Sequence, residues 1–332
     1  MAELKYQELT AWGDGYTLRT PGHPTFLGNV VAAFQKNVFR TVGLTALPAY
    51  LVAQTGVLQS AHDAAQFKVL GTLEAKPNDA QRREIQSEVD KVIGEDRLRS
   101  ISDLPFLQAA ARNIELWRED DGDTLGEQMD AVFASAIIGM WTAFEVLTGD
   151  MWEQVINERP DPLARSAINY QPKADGDSSE AASAGKSPKV KFIESLIGSD
   201  LEAANEVGSL LRFARRFDFA SLHGIQEAYR SAFGTGIDTV FAGQHGDGLE
   251  VLHGVRNALV HAGGRADRAF RRRVKGKPTC YSVFSLDQLG LGSTLPLHGG
   301  LVVSLSVAAV EASQALVTYV DKWFGDHPKA AR

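Results

Sequence analysis

A single cysteine, Cys280, among 332 residues leaves no disulfide within the chain and no cysteine-built zinc or iron–sulfur site, and it fits a reducing interior. Surplus positive charge is missing as well. The 34 Lys and Arg are outnumbered by 41 Asp and Glu, a net charge of −7, so nucleic acid can be held only by a local basic patch. The nucleotide loops GxGxxG and GxxxxGK[ST] are absent, as are HExxH and any clustered Asp/His ligand spacing, so neither cofactor nor metal is expected. Near Met1 no basic stretch leads into an apolar run with a small-residue cleavage site, which argues against export. A clean membrane-length apolar run is lacking too. Residues 41–61 carry no charge, but Pro48, Gln54, Gln59 and several threonines dilute them. They read as a buried or interfacial helix, with no membrane contact and a cytoplasmic location expected.

What is present has the balance of a chain that buries a core, with 44% hydrophobic and 23% charged residues. The length suffices for two compact domains. Over residues 1–120, helix-like stretches at 26–39, 81–93 and 106–117 are separated by Pro21, Pro24, Pro48, Pro77 and Pro105. This is a mainly helical region without a chemical motif. The acidic run Glu119-Asp120-Asp121-Gly122-Asp123 interrupts it, and Asp123 or Thr124 is placed to cap the helix that follows.

That helix has the clearest pattern in the chain: Met129, Val132, Phe133, Ala136, Ile137, Met140, Phe144, Leu147, Met151 and Val155 recur in steps of three and four. A second stripe, Trp141, Glu145, Thr148 and Trp152, lies beside it. The helix therefore buries more than one face and sets one carboxylate, Glu145, among aromatics, where it has a site role or pairs with a cation. Residues 171–189 lack hydrophobic periodicity and read as a flexible insertion. Helical patterns return at 190–196, 201–217 and 222–233, a glycine-bearing loop follows through Gly234, Gly236, Gly243, Gly246 and Gly248, and residues 280–286 alternate like a strand. Gly299 and Gly300 precede a last amphipathic helix. The fold class is all-α, with a domain over 121–326 and a short β element near 280–300.

Residues 249–264 carry the chemistry. At about 100° per residue with His253 at zero, Val251, Leu252, Val255, Ala258, Leu259 and Ala262 form one apolar arc, while His253, Arg256, Asn257 and His261 gather opposite. Leu249 and Val260 share that second arc, which a solvated face disfavours, so a second copy of the chain is expected to cover it. Gly263-Gly264 ends the helix, and its C-terminus favours a protonated His261. These residue types suit metal-free RNA cleavage, in which a ribose 2′-hydroxyl attacks the adjacent phosphodiester: His261 moves protons and Arg256 steadies the phosphorane. Asn257 can orient the imidazole or bind a phosphate oxygen, and His253 shares the polar stripe. Downstream, Arg265, Arg268, Arg271, Arg272, Arg273, Lys275 and Lys277 face one carboxylate, Asp267, and form the local patch suited to phosphates. Chance spacing of 21 Arg and 8 His gives about one or two such Arg-to-His pairs, so a surface helix with salt-bridged Arg and His is the competing reading. His245, His298 and His327 stand apart in loops or ends and are expected in solvent.

The string Val255-Arg256-Asn257-Ala258-Leu259-Val260-His261, followed by Gly263-Gly264 and Asp267, resembles the R-x4-6-H motif of HEPN domains, named for higher eukaryotes and prokaryotes nucleotide-binding. Trp141-Thr142-Ala143-Phe144-Glu145 is similar to the first long helix of HEPN proteins found beside toxin–antitoxin and abortive-infection systems, including the RiboL-PSP type, and residues 222–234 to the helix that often precedes the motif. The likeness covers residues 125–324; the long N-terminal region and the 171–189 insertion depart from a minimal HEPN domain. It implies a helical bundle that dimerises over an RNA-binding cleft, catalytic Arg256 and His261, a polar Asn257, an interacting Glu145, and no metal. The function implied is an endoribonuclease acting as a toxin or antiviral effector on RNA, with an antitoxin protein as a partner. The alternative is a non-catalytic helical dimerisation or partner- and nucleic-acid-binding module.

Overall fold

In the computed structural model the described residues are Leu18, Gly22, 25–96, Ile114, 123–169, 206–277 and 286–328. They are mostly helical, joined by turns and irregular segments. In order come α1 (Thr25–Leu70), α2 (Asp79–Asp96), α3 (Asp123–Glu158), a π turn at Pro160–Ala164, α4 (Arg165–Asn169), α5 (Val207–Phe213), α6 (Leu222–Phe233), a 3-10 turn at Thr235–Thr239, α7 (Gly243–His261), α8 (Arg268–Val274), a 3-10 turn at Leu286–Gln288 and α9 (Gly299–Asp326). The expected β element near 280–300 is corrected. Among the described residues only an isolated bridge between Arg265 and Thr294 has β pairing, and the stretch from 286 begins as a 3-10 turn. Residues 278–285, which include Cys280, lie outside the described residues, as do most of 106–117, the 171–189 insertion and the 190–196 segment.

The chain forms two compact units, one of Met1–Gly15, Thr41–Ala136 and Leu297–Val303, the other of Tyr16–Arg40, Ile137–Pro296 and Ser304–Arg332. In the first, Ala61 and Ala65 of α1 pack with Ile85 and Val89 of α2. Asn78 caps α2 by accepting from the N–H groups of Ala80 and Gln81, while the Gln81 side chain accepts from the Asn78 N–H, a reciprocal capping box. Glu88 binds both Lys68 and Lys91, and these two hydrogen bonds lower its carboxyl to about 2.

In the second unit, the paired stripes of α3 are buried as the periodicity requires: Met140, Trp141, Phe144, Leu147, Met151 and Trp152 are all shielded. The Trp152 indole donates to the Ala228 carbonyl at 2.9 Å and the Tyr229 hydroxyl to the Thr148 carbonyl at 2.8 Å, locking α3 to α6. Phe233 meets Trp323 edge-on at 5.4 Å, and Phe26 meets Phe324 at 5.6 Å, which brings α6, α9 and the start of α1 together.

Two readings of α1 are corrected. The helix runs through Pro48 instead of ending there; the proline removes one N–H from the ladder, and Leu44, four residues back, lies at the surface where its carbonyl can be hydrated. Of the buried and interfacial alternatives for residues 41–61, burial of the whole segment does not hold. Its small residues Ala46, Ala49 and Ala53 face inward, while Leu44, Leu47, Leu51 and Leu58 face outward. The expectation of no membrane contact is overturned as well: α1, α3 and α9 are each long and apolar enough to cross a bilayer by length and composition, and in α1 only 24% of the apolar window is buried.

Candidate functional site

Helix α7 begins at Gly243, six residues before the segment that its polar stripe marked out. The glycines read as loop serve close packing: a Cβ at Gly246 would sit 1.8 Å from the Phe241 carbonyl oxygen, and one at Gly248 would sit 2.4 Å from the Ala308 Cβ of α9. The helix ends at His261. Gly263 and Gly264 both take positive φ, and the Gly264 N–H returns to the Ala258 carbonyl at 3.0 Å, the closure a glycine terminus provides. Backbone bonds from Ala266 to Ser293 and from Leu295 to Gly264 then hold this end against residues 292–295.

Of the arc opposite the core, only part reaches the surface. Leu249 is fully buried, Val260 is 45% exposed, and His253 is 3% exposed. Of the two aliphatics on that arc, only Val260 is exposed. His253 is buried because the Trp141 ring of α3 stacks on it, with centroids 4.5 Å apart and planes 17° apart, and because α8 covers its other side. A Cβ at Gly254 would touch the Arg273 Cδ at 3.2 Å, so a glycine here lets the Arg273 stem lie across α7. Burial first, then the charges of Arg273 and Arg256, hold the His253 imidazole down at about 4, with Asp218 opposing.

Arg256 and His261 converge, with Nη1 and Nε2 3.5 Å apart. Arg256 also donates to Oδ1 of Asn257 at 2.9 Å, and its buried Nε has no hydrogen-bond partner among the described residues. Asn257 does not orient His261; its other amide atom faces Nε2 of His253 at 3.1 Å. Glu145, half-buried on α3, has its carboxyl raised by burial, which the facing Arg256 charge opposes. Glu145 thus feels the Arg256 charge across the helix pair, without a salt bridge to it among the described residues.

The basic run divides in two. Asp267 caps α8 by accepting from the Phe270 N–H at 2.7 Å, so it is spent on the helix and not on the cations. Arg265, Arg268, Arg271, Arg272 and Lys275 are exposed. Arg273 turns inward to Nδ1 of His253 and lies 3.9 Å from Glu250, and Lys277 pairs with Asp247 at 2.7 Å. Arg273 therefore belongs to the inner site and not to the outward patch. His298 is buried, with Nδ1 accepting from the Leu301 N–H at the start of α9, against the expectation of a solvent position; His327 is exposed and stacked on Trp323. Among the described residues no group of three or more His, Cys, Asp or Glu is arranged to hold a metal. Neither a family model nor a curated protein nor a solved structure matches this chain.

Proposed function

We propose that this protein is a metal-independent endoribonuclease acting as a toxin or antiviral effector, with an HEPN-like helical bundle as its catalytic scaffold. One observation carries the reading: a permanent cation and a titratable imidazole, Arg256 and His261, meet within 3.5 Å at an exposed helix end. Attack of the 2′-oxygen on phosphorus needs proton transfer at both the attacking and leaving oxygens and a fixed positive charge on the phosphorane. His261 supplies the first and Arg256 the second, with the Glu145 charge facing Arg256 across the helix pair. Pairing two such helix ends across a dimer would give one scissile linkage two imidazoles, one as base and one as acid. The five exposed cations that follow would track the RNA backbone.

Incubation of labelled RNA with the purified protein in EDTA tests this. Cleavage leaving 2′,3′-cyclic phosphate ends is expected, and His261→Ala and Arg256→Ala should each reduce it by at least a hundredfold with helical circular dichroism intact. Undiminished cutting by both variants would overturn the assignment. RNA binding without cutting by the unaltered protein would favour a non-catalytic binding module.

A further inference from the structure

Four side chains stand in line: Arg273, His253, Asn257 and Arg256. Nη1 of Arg273 meets Nδ1 of His253, Nε2 of His253 faces the Asn257 amide at 3.1 Å, and that amide faces Nη1 of Arg256 at 2.9 Å. A guanidinium only donates, so both ends of the line are donors. A neutral imidazole offers one donor and one acceptor, and the Asn257 carboxamide, whose oxygen faces one neighbour and whose NH2 faces the other, likewise presents one acceptor and one donor to the line. Three links therefore require three acceptors, and the line contains two. Protonating His253 would remove one of those two, and burial opposes it.

The shortage can fall in two places. If the Asn257 oxygen accepts from Arg256 and its NH2 donates to Nε2, the ring must carry its proton on Nδ1, where it meets Arg273 head-on. That mismatch would sit at a ring 3% exposed and stacked on Trp141, where no outside group can relieve it. If Arg273 instead donates to Nδ1, the Nε2–H donates to the Asn257 oxygen, and the Asn257 NH2 turns toward Arg256. The mismatch then lies between two half-buried side chains beside the exposed His261, where an acceptor can enter.

We infer that the second arrangement is the native one and that the missing acceptor is a phosphate oxyanion held between the Asn257 NH2 and the Arg256 guanidinium. Arg273 does not touch the anion. Acting through the His253 tautomer, it is a positioning residue that turns the Asn257 amide outward as a donor. The identity of the phosphate as an RNA linkage rests on the ribonuclease reading; the anion site itself does not.

Nitrogen-15 NMR of the full chain labelled at histidine, with inorganic phosphate as the probe, tests the inference. His253 should carry its proton on Nε2, and phosphate should shift the Asn257 side-chain NH2 resonances. Arg273→Met removes one terminal donor, so two acceptors then serve two links. The ring should move to Nδ1–H and phosphate affinity should fall roughly tenfold. Arg273→Lys keeps a donor and should retain both properties. Lys322→Met, which removes an exposed charge outside the basic run, should change affinity less than about twofold. An Nδ1–H ring in the unaltered protein overturns the proposal whether or not Arg273→Met folds. Unchanged phosphate affinity in Arg273→Met, or an equal loss in Lys322→Met, overturns it too. If the tautomer and phosphate results hold while RNA stays uncut, the ribonuclease reading fails and the anion site stands.

Discussion

Burial, then Arg273 and Arg256, bring the His253 imidazole to about 4, against about 6.5 for a free histidine. Between those values the unfolded chain binds a proton on this ring and the folded chain does not. The stability so contributed is fully present above pH 6.5 and is lost as pH falls toward 4, by up to about 3 kcal/mol. Urea unfolding at pH 7 and pH 5 should show this fall, and His253→Gln should flatten it; a slope equal in both proteins would mean that other groups cause the acid loss. His261, exposed at the helix end, meets none of that burial. The sequence placed both histidines on one stripe, because helical angle is legible from spacing. What separated them was Trp141 and Arg273, distant in sequence, and no local pattern encodes a stacking partner more than a hundred residues away.

Element boundaries were legible where local chemistry set them. Helix α6 spans Leu222–Phe233 as expected because the Ser221 hydroxyl accepts from the Gly224 N–H at 3.1 Å and Gly234 turns the chain at positive φ. They were illegible where tertiary contact overrode the residue type, as at Gly246 and Gly248, which read as loop yet pack inside α7. Pro48 is the same case within α1. Over residues 44–58 of that helix, side-chain size distinguishes the small inward alanines from the outward leucines, which is why an uncharged stretch did not reveal its inner side. Ala49→Leu, at a fully buried position, should cost about 1–3 kcal/mol by overpacking. Leu51→Gln, at 59% exposure, should leave the melting temperature within a degree or two. Thermal unfolding of the two variants checks the polarity of the helix; equal losses would contradict it.

Across the whole molecule, a net charge of −7 coexists with the exposed cations Arg265, Arg268, Arg271, Arg272 and Lys275. Under the proposed function, an RNA strand would be drawn to these cations and repelled by the acidic remainder. Each cation engaged on single-stranded RNA steepens the dependence of log K on log salt by about 0.7, so five give a slope near −3.5. Filter binding between 50 and 200 mM salt (about a fourfold range) should show that slope, and replacing Arg271 and Arg272 by Gln should reduce its magnitude by about 1.4. A slope unchanged by both replacements would move the binding face elsewhere. The site's overall composition was readable from sequence, since the motif, the capping glycines and the basic run are contiguous. The partition of that run into an outward patch and an inward Arg273 was not, because it depends on how α8 lies against Gly254.

The Trp141 indole lies face to face with His253, 4.5 Å away. Imidazolium drains an excited indole of its emission far more than neutral imidazole does, so this stack converts the ring's charge into light. Acid titration followed by fluorescence, with Trp141→Phe as the blank, would report proton arrival at this one buried ring before the helices unravel, with no dye attached.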